Sequence, residues 1–535
     1  MPIDEKLELA DHVFQEDNLP FIKDLIYELE REFSMIDMNI ALNQKRSFNF
    51  GSILIDYGSR VEEKGTITKG IERIQNFGRF FLEANNSVTY FYNLANGYSA
   101  LRKLSIPEGY ENGYLPNEFL NEIKTYRIAI DLASKNKLEQ YEKDILPQLF
   151  TNYGNSLDDL GRPIEALEYI NKAIVLNPNN AITLANKAMI LTNLVFFAQE
   201  NKHLFVLEAK RFINLALKNS PTKELEEYLI PQMEKVQEFI DKHPEKLSLE
   251  KCNKPTAESD FQKFLGEFCF RNGLYLTPST IIGERDYQIF GDPLFISTMR
   301  SNVNDNSKFD RYVTFFNQIK QDYIFARYLL VQSQYRSNLA DVIDQDVVYY
   351  YPSDYSITSS YGEMVKISYR LTVDTLDKIA CFIWDYCKVI SINISDVNFR
   401  NIFSSRERPN EFRSDLMQYK NKYLFGLMSL ALDLKQGGYY SSIYDRRNAL
   451  THRFISLHSE SIGLNDGRPG TPKIIFNDFI NETIQTLQLL KSAIIYLLLF
   501  IDIEERKTDF KGLVFPISPI KSEGFLRWTP IEGDC

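Results

Sequence analysis

The 535-residue chain is poor in the residues that special chemistries and special environments require. Its five cysteines (Cys252, Cys269, Cys381, Cys387 and Cys535) are odd in number, scattered, and contain no Cys-x2-Cys pair, which excludes a disulfide framework and fits a reducing cytoplasm. Histidine is equally scarce, with only His12, His203, His243, His452 and His458. None of them clusters with another ligand type at metal spacing, so neither a metal site nor a cofactor is expected. Long apolar runs are missing too. The longest, SAIIYLLLFI at 492–501, lies between Lys491 and Asp502 and is half of what a bilayer span needs, so it reads as a buried helix and no membrane is expected among the partners. The opening MPIDEKLELADHVF has acids and no basic stretch before an apolar core, which argues against a secretory signal. With 24 Gly and 20 Pro the chain is neither fibrous nor disordered, and its 44% hydrophobic and 25% charged residues describe an ordinary globular protein. Basic residues are outnumbered by acids, 61 to 72, and the net charge of −11 excludes general affinity for nucleic acid while leaving room for a local basic site.

What is present is helical repetition. Residues 150–180 read FTNYGNSLDDLGRPIEALEYINKAIVLNPNN, with Tyr153, Gly154, Leu157, Gly161, Ala166, Ile170, Ala173 and Pro178 in order. Small Gly154, Ala166 and Ala173 let two helices approach, Gly161 turns the chain and Pro178 ends the second helix. The pattern resembles the 34-residue tetratricopeptide (TPR) repeat. Thirty-four residues beyond Gly154 stands Ala188, with Leu184 and Leu191 on its stripe. The second helix of that repeat, with Ala209, Ile213, Ala216 and Pro221, comes about nine residues late, so its helices carry an insertion between them. FYNLANGYSAL before FLNEIKTYRIAIDLA, and YGSRVEEKGTITKGIERIQNFGRFFLEA before that, read as earlier pairs, and ELEEYLIPQMEKVQEFIDKH as a capping helix.

Periodicity breaks over 246–306, which reads as a semi-extended connector, and then resumes at 309–335, 361–389, 412–434, 441–457 and 476–506. The expected fold class is therefore all-α: TPR-like repeats with flanking helices over 1–245, the connector, a helical bundle over 307–508, and a tail at 509–535.

Within the bundle stands Tyr444-Asp445-Arg446-Arg447-Asn448-Ala449-Leu450-Thr451-His452-Arg453. Arg447-Asn448-x3-His452 resembles the Arg-x4-6-His motif of the HEPN superfamily, helical bundles that are frequently metal-independent ribonucleases. Such a motif is short enough to recur by chance, and Arg453-x4-His458 is a second match. The Asn after Arg447 and the long apolar helix that follows single out the first. The aromatic FCFRNGLYLTP ahead of the bundle adds to the resemblance.

The residue types suit RNA cleavage by attack of the 2′-OH on the adjacent phosphorus. His452 can carry a proton either way at neutral pH. Arg447, always charged and forked, can hold phosphoryl oxygens. Asn448 would orient His452 or the phosphate. Arg446 and Arg453 would bind RNA, and Asp445 would orient Arg446. Residues 400–453 hold ten Lys/Arg against five Asp/Glu, a local basic stretch in an acidic chain. Aromatics there (Phe403, Tyr419, Tyr423, Tyr439, Tyr440, Tyr444) are of the type that stacks on bases. On a regular helix Arg447 and His452 lie about 140° apart, so a site using both is most simply built by two motifs facing each other in a homodimer, which is also the arrangement the resemblance implies. The resemblance further implies a toxin or antiviral effector that cuts RNA, controlled by a protein or peptide ligand or inhibitor on the TPR-like region. The alternative is a TPR/HEPN scaffold that binds partners without catalysis, and a third reading is a HEPN domain that binds a nucleotide or an antitoxin enzyme.

Overall fold

The computed structural model describes residues 1–15, 18–77, 87–105, 113–135, 138, 140–195, 202–243, 259–277, 291–299, 307–335, 342–350, 355–459 and 472–507. The tail at 509–535, much of the connector at 246–306 and the Pro352-containing centre of the tyrosine-rich loop lie outside the described residues.

Alanine, glycine and long aliphatic residues at helical spacing produce helices that pair. After α1 (Ile3–Gln15) and α2 (Leu19–Phe33) come four packed pairs: α3 (Ala41–Arg60) with α4 (Lys64–Phe77), α5 (Ser87–Ser105) with α6 (Asn117–Lys135), α7 (Gln140–Asp159) with α8 (Pro163–Leu176), and α9 (Ala181–Leu194) with α10 (Lys202–Lys218). Helix α11 (Lys223–Lys242) follows. Glycine sets the closeness of the pairs. A Cβ on Gly154 would stand 2.9 Å from the Ile170 side chain and 3.2 Å from the Ala166 carbonyl. In α3 and α4 the Gly51 and Gly70 backbones meet in the same way. Side-chain caps start several helices: Asn180 Oδ1 accepts from the Thr183 amide at 2.9 Å, and Thr222 Oγ1 from that of Leu225 at 3.3 Å. The order of helices is that expected of a TPR-like array, and the insertion falls between α9 and α10.

The bundle consists of α12 (Asp260–Arg271), α13 (Ser307–Gln334), α14 (Ser360–Tyr386), α15 (Lys422–Asp433), α16 (Ser442–His452) and α17 (Phe476–Lys507). Helix α17 is its axis, packing on α14, α15 and α13. It is long and apolar enough to cross a membrane, yet 83% of its most apolar window is buried inside the protein, which makes it a core helix.

Three sequence expectations need correction. The segment FLGEFCFR is not semi-extended: Ser259 caps its amide at Gln262 (3.2 Å), and α12 follows. The helix expected over 412–434 is confined to α15, because Asn421 caps the Tyr423 amide at 3.0 Å and the preceding residues form irregular turns. The helix expected over 441–457 stops at His452. Arg453 is extended, Ile455 and Leu457 turn inward, and Ser456–His458 becomes β2, flanked by antiparallel β1 (Ser356–Ile357) and parallel β3 (Lys473–Ile475). Strand partners from distant parts of the chain capture a backbone whose local pattern alone reads as helix.

One continuous apolar core runs from Val88 to Ile501 and joins the helix pairs to the bundle. Where they meet, the turn between α7 and α8 sits directly on α15. Gly161, at φ +82°, has its backbone against Lys422, and Gly426 has its backbone against Gly161, so a Cβ at either position would overlap main chain. Around this contact Lys422 Nζ donates to Asp158 at 2.9 Å, the Phe412 amide to the Gly113 carbonyl at 2.8 Å, and the Leu115 amide to the Asn410 carbonyl at 2.8 Å.

Candidate active site

The motif helix α16 has only eleven residues, too few to be stable alone. Ile443, Tyr444 and Ala449 bury its inner side. Three polar bonds then fix its rotation. Tyr444 Oη donates to Asp377 Oδ1 at 2.7 Å on α14. Arg447 Nε and Nη2 donate to Asp374 Oδ1 at 2.7 and 2.6 Å, also on α14. Arg446 Nε donates to Glu482 Oε1 at 2.6 Å on α17, and the same oxygen accepts from Tyr369 Oη at 2.9 Å. Burial raises the Asp377 carboxyl above its ordinary range, with Tyr444, the Phe399 amide and Arg447 pulling the other way. Burial, reinforced by Asp377, lifts the Tyr444 phenol well above its usual range, so it stays a donor.

These anchors decide what faces outward. Asp445, Asn448 and His452, at i, i+3 and i+7, are exposed on one side, followed by exposed Arg453 and Phe454. Arg447 is half-buried at the edge of that row, and its Nη1 donates to Asn448 Oδ1 at 3.1 Å. A guanidinium has five N–H donors. Asp374 takes Nε and one Nη2 hydrogen and Asn448 takes one Nη1 hydrogen, which leaves two donors without a partner among the described residues. This is a forked cation held in place with donors to spare for an anion.

The other sequence-selected residues fall as follows. His452 closes the helix and makes no hydrogen bond among the described residues, and none joins it to Arg447. Asn448, read as a partner of His452 or phosphate, is bonded to Arg447 instead. Arg446, read as an RNA contact tuned by Asp445, is committed to Glu482, while Asp445 is exposed and makes no ion pair among the described residues. His458, the second match, is fully buried in β2. Of the aromatics, Phe403, Tyr423 and Tyr444 are buried, so base stacking does not fall to them.

The residues missed from sequence are Asp374, Asp377 and Glu482. Sequence carried little signal for the first two: α14 also bears Glu363, Lys366, Arg370, Lys378 and Asp385, so two acids at i, i+3 do not stand out.

Residues 303–504 match the family model described as LA2681-like HEPN, so the C-terminal part of the chain is a HEPN domain of that kind. The match contains the whole of α13, α14, α15 and α16 and nearly all of α17. No curated protein matches the chain.

Proposed function

We propose that the LA2681-like HEPN domain is a metal-independent endoribonuclease, and that the chain is a toxin or antiviral effector controlled through its helix pairs. The observation that carries this reading is the arrangement on α16: Arg447 oriented by Asp374 and Asn448, with two donors unused among the described residues, beside an exposed His452. His452 moves the proton of the 2′-OH or of the leaving 5′-oxygen, and Arg447 stabilises the charge that builds on the phosphoryl oxygens. Because Arg447 and His452 stand about 140° apart on a regular helix and no hydrogen bond joins them among the described residues, a homodimer that sets two α16 helices face to face supplies the missing partner for each.

A protein or peptide ligand would act on the helix pairs. A cleft of about 480 Å³ opens there between α3, α5, α6 and α7, lined by Tyr92, Asn96, Arg102, Gln148, Asn152 and Asn155 among others.

The experiment is RNA cleavage by the purified chain in EDTA, with end-group analysis. Cuts should leave 2′,3′-cyclic phosphate or 3′-phosphate with 5′-OH, and DNA should resist. Arg447→Ala and His452→Ala should each abolish cutting, His458→Ala should not if it folds, and mixing the first two variants should restore part of the activity. A divalent-ion requirement, or cutting unaffected by His452→Ala, rejects the reading.

The second reading is a non-catalytic scaffold. It is favoured by the Arg447–Asp374 ion pair, which occupies much of the motif arginine in the single chain, and no activity in any association state would establish it.

A further inference from the structure

Beside α16 lies a group of three cations. Arg400, Arg413 and Lys435 are held together by the short segment 400–404. Arg413 donates from Nε and Nη2 to the Asn401 carbonyl at 3.2 and 3.0 Å, and from its amide to the Phe403 carbonyl at 2.8 Å. Lys435 Nζ donates to Ser404 Oγ at 2.9 Å. The Arg400 guanidinium stacks on the ring of Tyr444, 4.1 Å from its centre, and makes no hydrogen bond among the described residues. None of the three forms a salt bridge among the described residues. Asp415 and Glu407 act on Arg413 only at longer range.

The arrangement is costly for the empty protein. Burial, and then repulsion from Arg413 and Arg400, push the Lys435 ammonium down to about 8. Lys435 lies just beyond the C-terminal end of α15, where the helix dipole favours a cation, yet the net shift is downward. The spare donors among the described residues are numerous: all five of Arg400, three of the five on Arg413 and two of the three on Lys435. Half-buried like charges with unused donors are complementary to a compact anion with several acceptor oxygens.

We propose that Arg400, Arg413 and Lys435 form a binding subsite for a phosphate group, either in the backbone of an RNA strand or free. Its place is one link from the motif helix. Arg400 rests on Tyr444, and Tyr444 is followed at i+3 and i+4 by Arg447 and Asn448, so an RNA strand seated here passes over the α16 face. The RNA arm rests on the ribonuclease reading, whereas phosphate recognition itself does not.

The test uses the full chain and a fluorescent 2′-O-methyl RNA oligonucleotide, which cannot be cut because its 2′ oxygen is blocked. Lys435→Gln and Arg413→Gln should each weaken binding about tenfold and flatten its salt dependence by about one charge. Lys435→Arg should retain affinity. Thermal melts identify any variant that has lost its fold, and two substitutions at separate positions keep the test decisive. A second arm uses inorganic phosphate alone: a Lys435-dependent rise in Tm over chloride at equal ionic strength, without oligonucleotide binding, assigns the subsite to free phosphate. Wild-type affinity in both Gln variants, or no response on either arm, overturns the subsite. Loss of oligonucleotide binding in a chain that never cuts RNA keeps the subsite and rejects the ribonuclease reading. Undiminished binding with normal cutting does the reverse.

Discussion

Arg127 on α6 grips Asp433, the last residue of α15, with Nη1 to Oδ1 at 2.5 Å and Nη2 to Oδ2 at 2.7 Å, across 306 residues of sequence. Arg162 reaches the same carboxylate from α8, Nη1 to Oδ2 at 2.7 Å, and is itself held by Glu165. From Asp433 the chain turns straight into α16. The Tyr440 amide donates to the Asp433 carbonyl at 2.7 Å, and Tyr439 Oη donates to Asp131 on α6 at 3.0 Å. The start of the motif helix is therefore held by the helix pairs.

Asp433→Asn removes the carboxylate that two buried guanidinium groups share. The loss of one partner of a buried ion pair costs about 3–5 kcal/mol, seen as a lower urea midpoint and faster proteolysis between α15 and α16. In the wild type, burial alone would raise the Asp433 carboxyl, but Arg127 and Arg162 outweigh it and hold it below the usual range. A depressed acid contributes stability above its unfolded pKa of about 3.9 and loses it as pH falls through the lower folded value. The clasp should hold at pH 5 and open only below about pH 4.

Gly426→Ala should separate the α7–α8 turn from α15, since the added Cβ has main-chain atoms of Gly161 in its way and nothing flexible to displace. A destabilisation of at least the usual overpacking cost, about 1–3 kcal/mol, is expected in thermal melts. Gly437→Ala is the control for a positive-φ glycine with open space around it. Gly426 is helical with no positive φ, so an unchanged melt for Gly426→Ala would show that the close approach can open without cost.

Asp374→Ala should lower the rate of RNA cleavage at least tenfold through kcat, with KM changed far less, because Asp374 orients Arg447 without facing the RNA. Asp374→Asn, which can still accept the Nε hydrogen, should recover part of the rate. The pair is partly exposed, so stability should fall by no more than about 1 kcal/mol. Full activity in Asp374→Ala would show that Arg447 finds its geometry elsewhere.

Phosphate or oligonucleotide binding should weaken as pH rises past about 8, because the Lys435 ammonium of the free protein begins to lose its proton there. Arg400 and Arg413 stay charged throughout, and Ser404, the hydrogen-bond partner of Lys435, does not titrate. Lys435→Arg should make the profile flat to pH 10. Anisotropy titrations between pH 6.5 and 10 read this directly, and a wild-type profile as flat as that of the variant would remove Lys435 from the subsite.

Much of this architecture was legible from sequence for a stated reason. Helical spacing of apolar residues marks which face of each helix is buried, and Gly154, Ala166, Ile170 and Ala173 are buried or closely packed where the pattern put them. Arg447, Asn448 and His452 stood out because the motif is local, all within two turns of one helix. Less legible was the end of α16: Phe454-Ile455-Ser456-Leu457 suits helix or strand, and only β1 and β3, from 100 residues before and 17 after, settle it.

Sequence by itself determined the class, an all-α chain of paired helices followed by a bundle, because helix formation and amphipathic burial depend on residues three and four apart. Tertiary structure decided the rest. It set Asp374 under Arg447, gave Arg446 to Glu482, gathered Arg400, Arg413 and Lys435 with no salt bridge among the described residues, and locked the helix pairs to the motif helix through Arg127, Arg162 and Asp433. Each of these depends on charges that meet only after helices far apart in the chain have packed, and the energy of such a meeting comes from burial and geometry that no local spacing encodes.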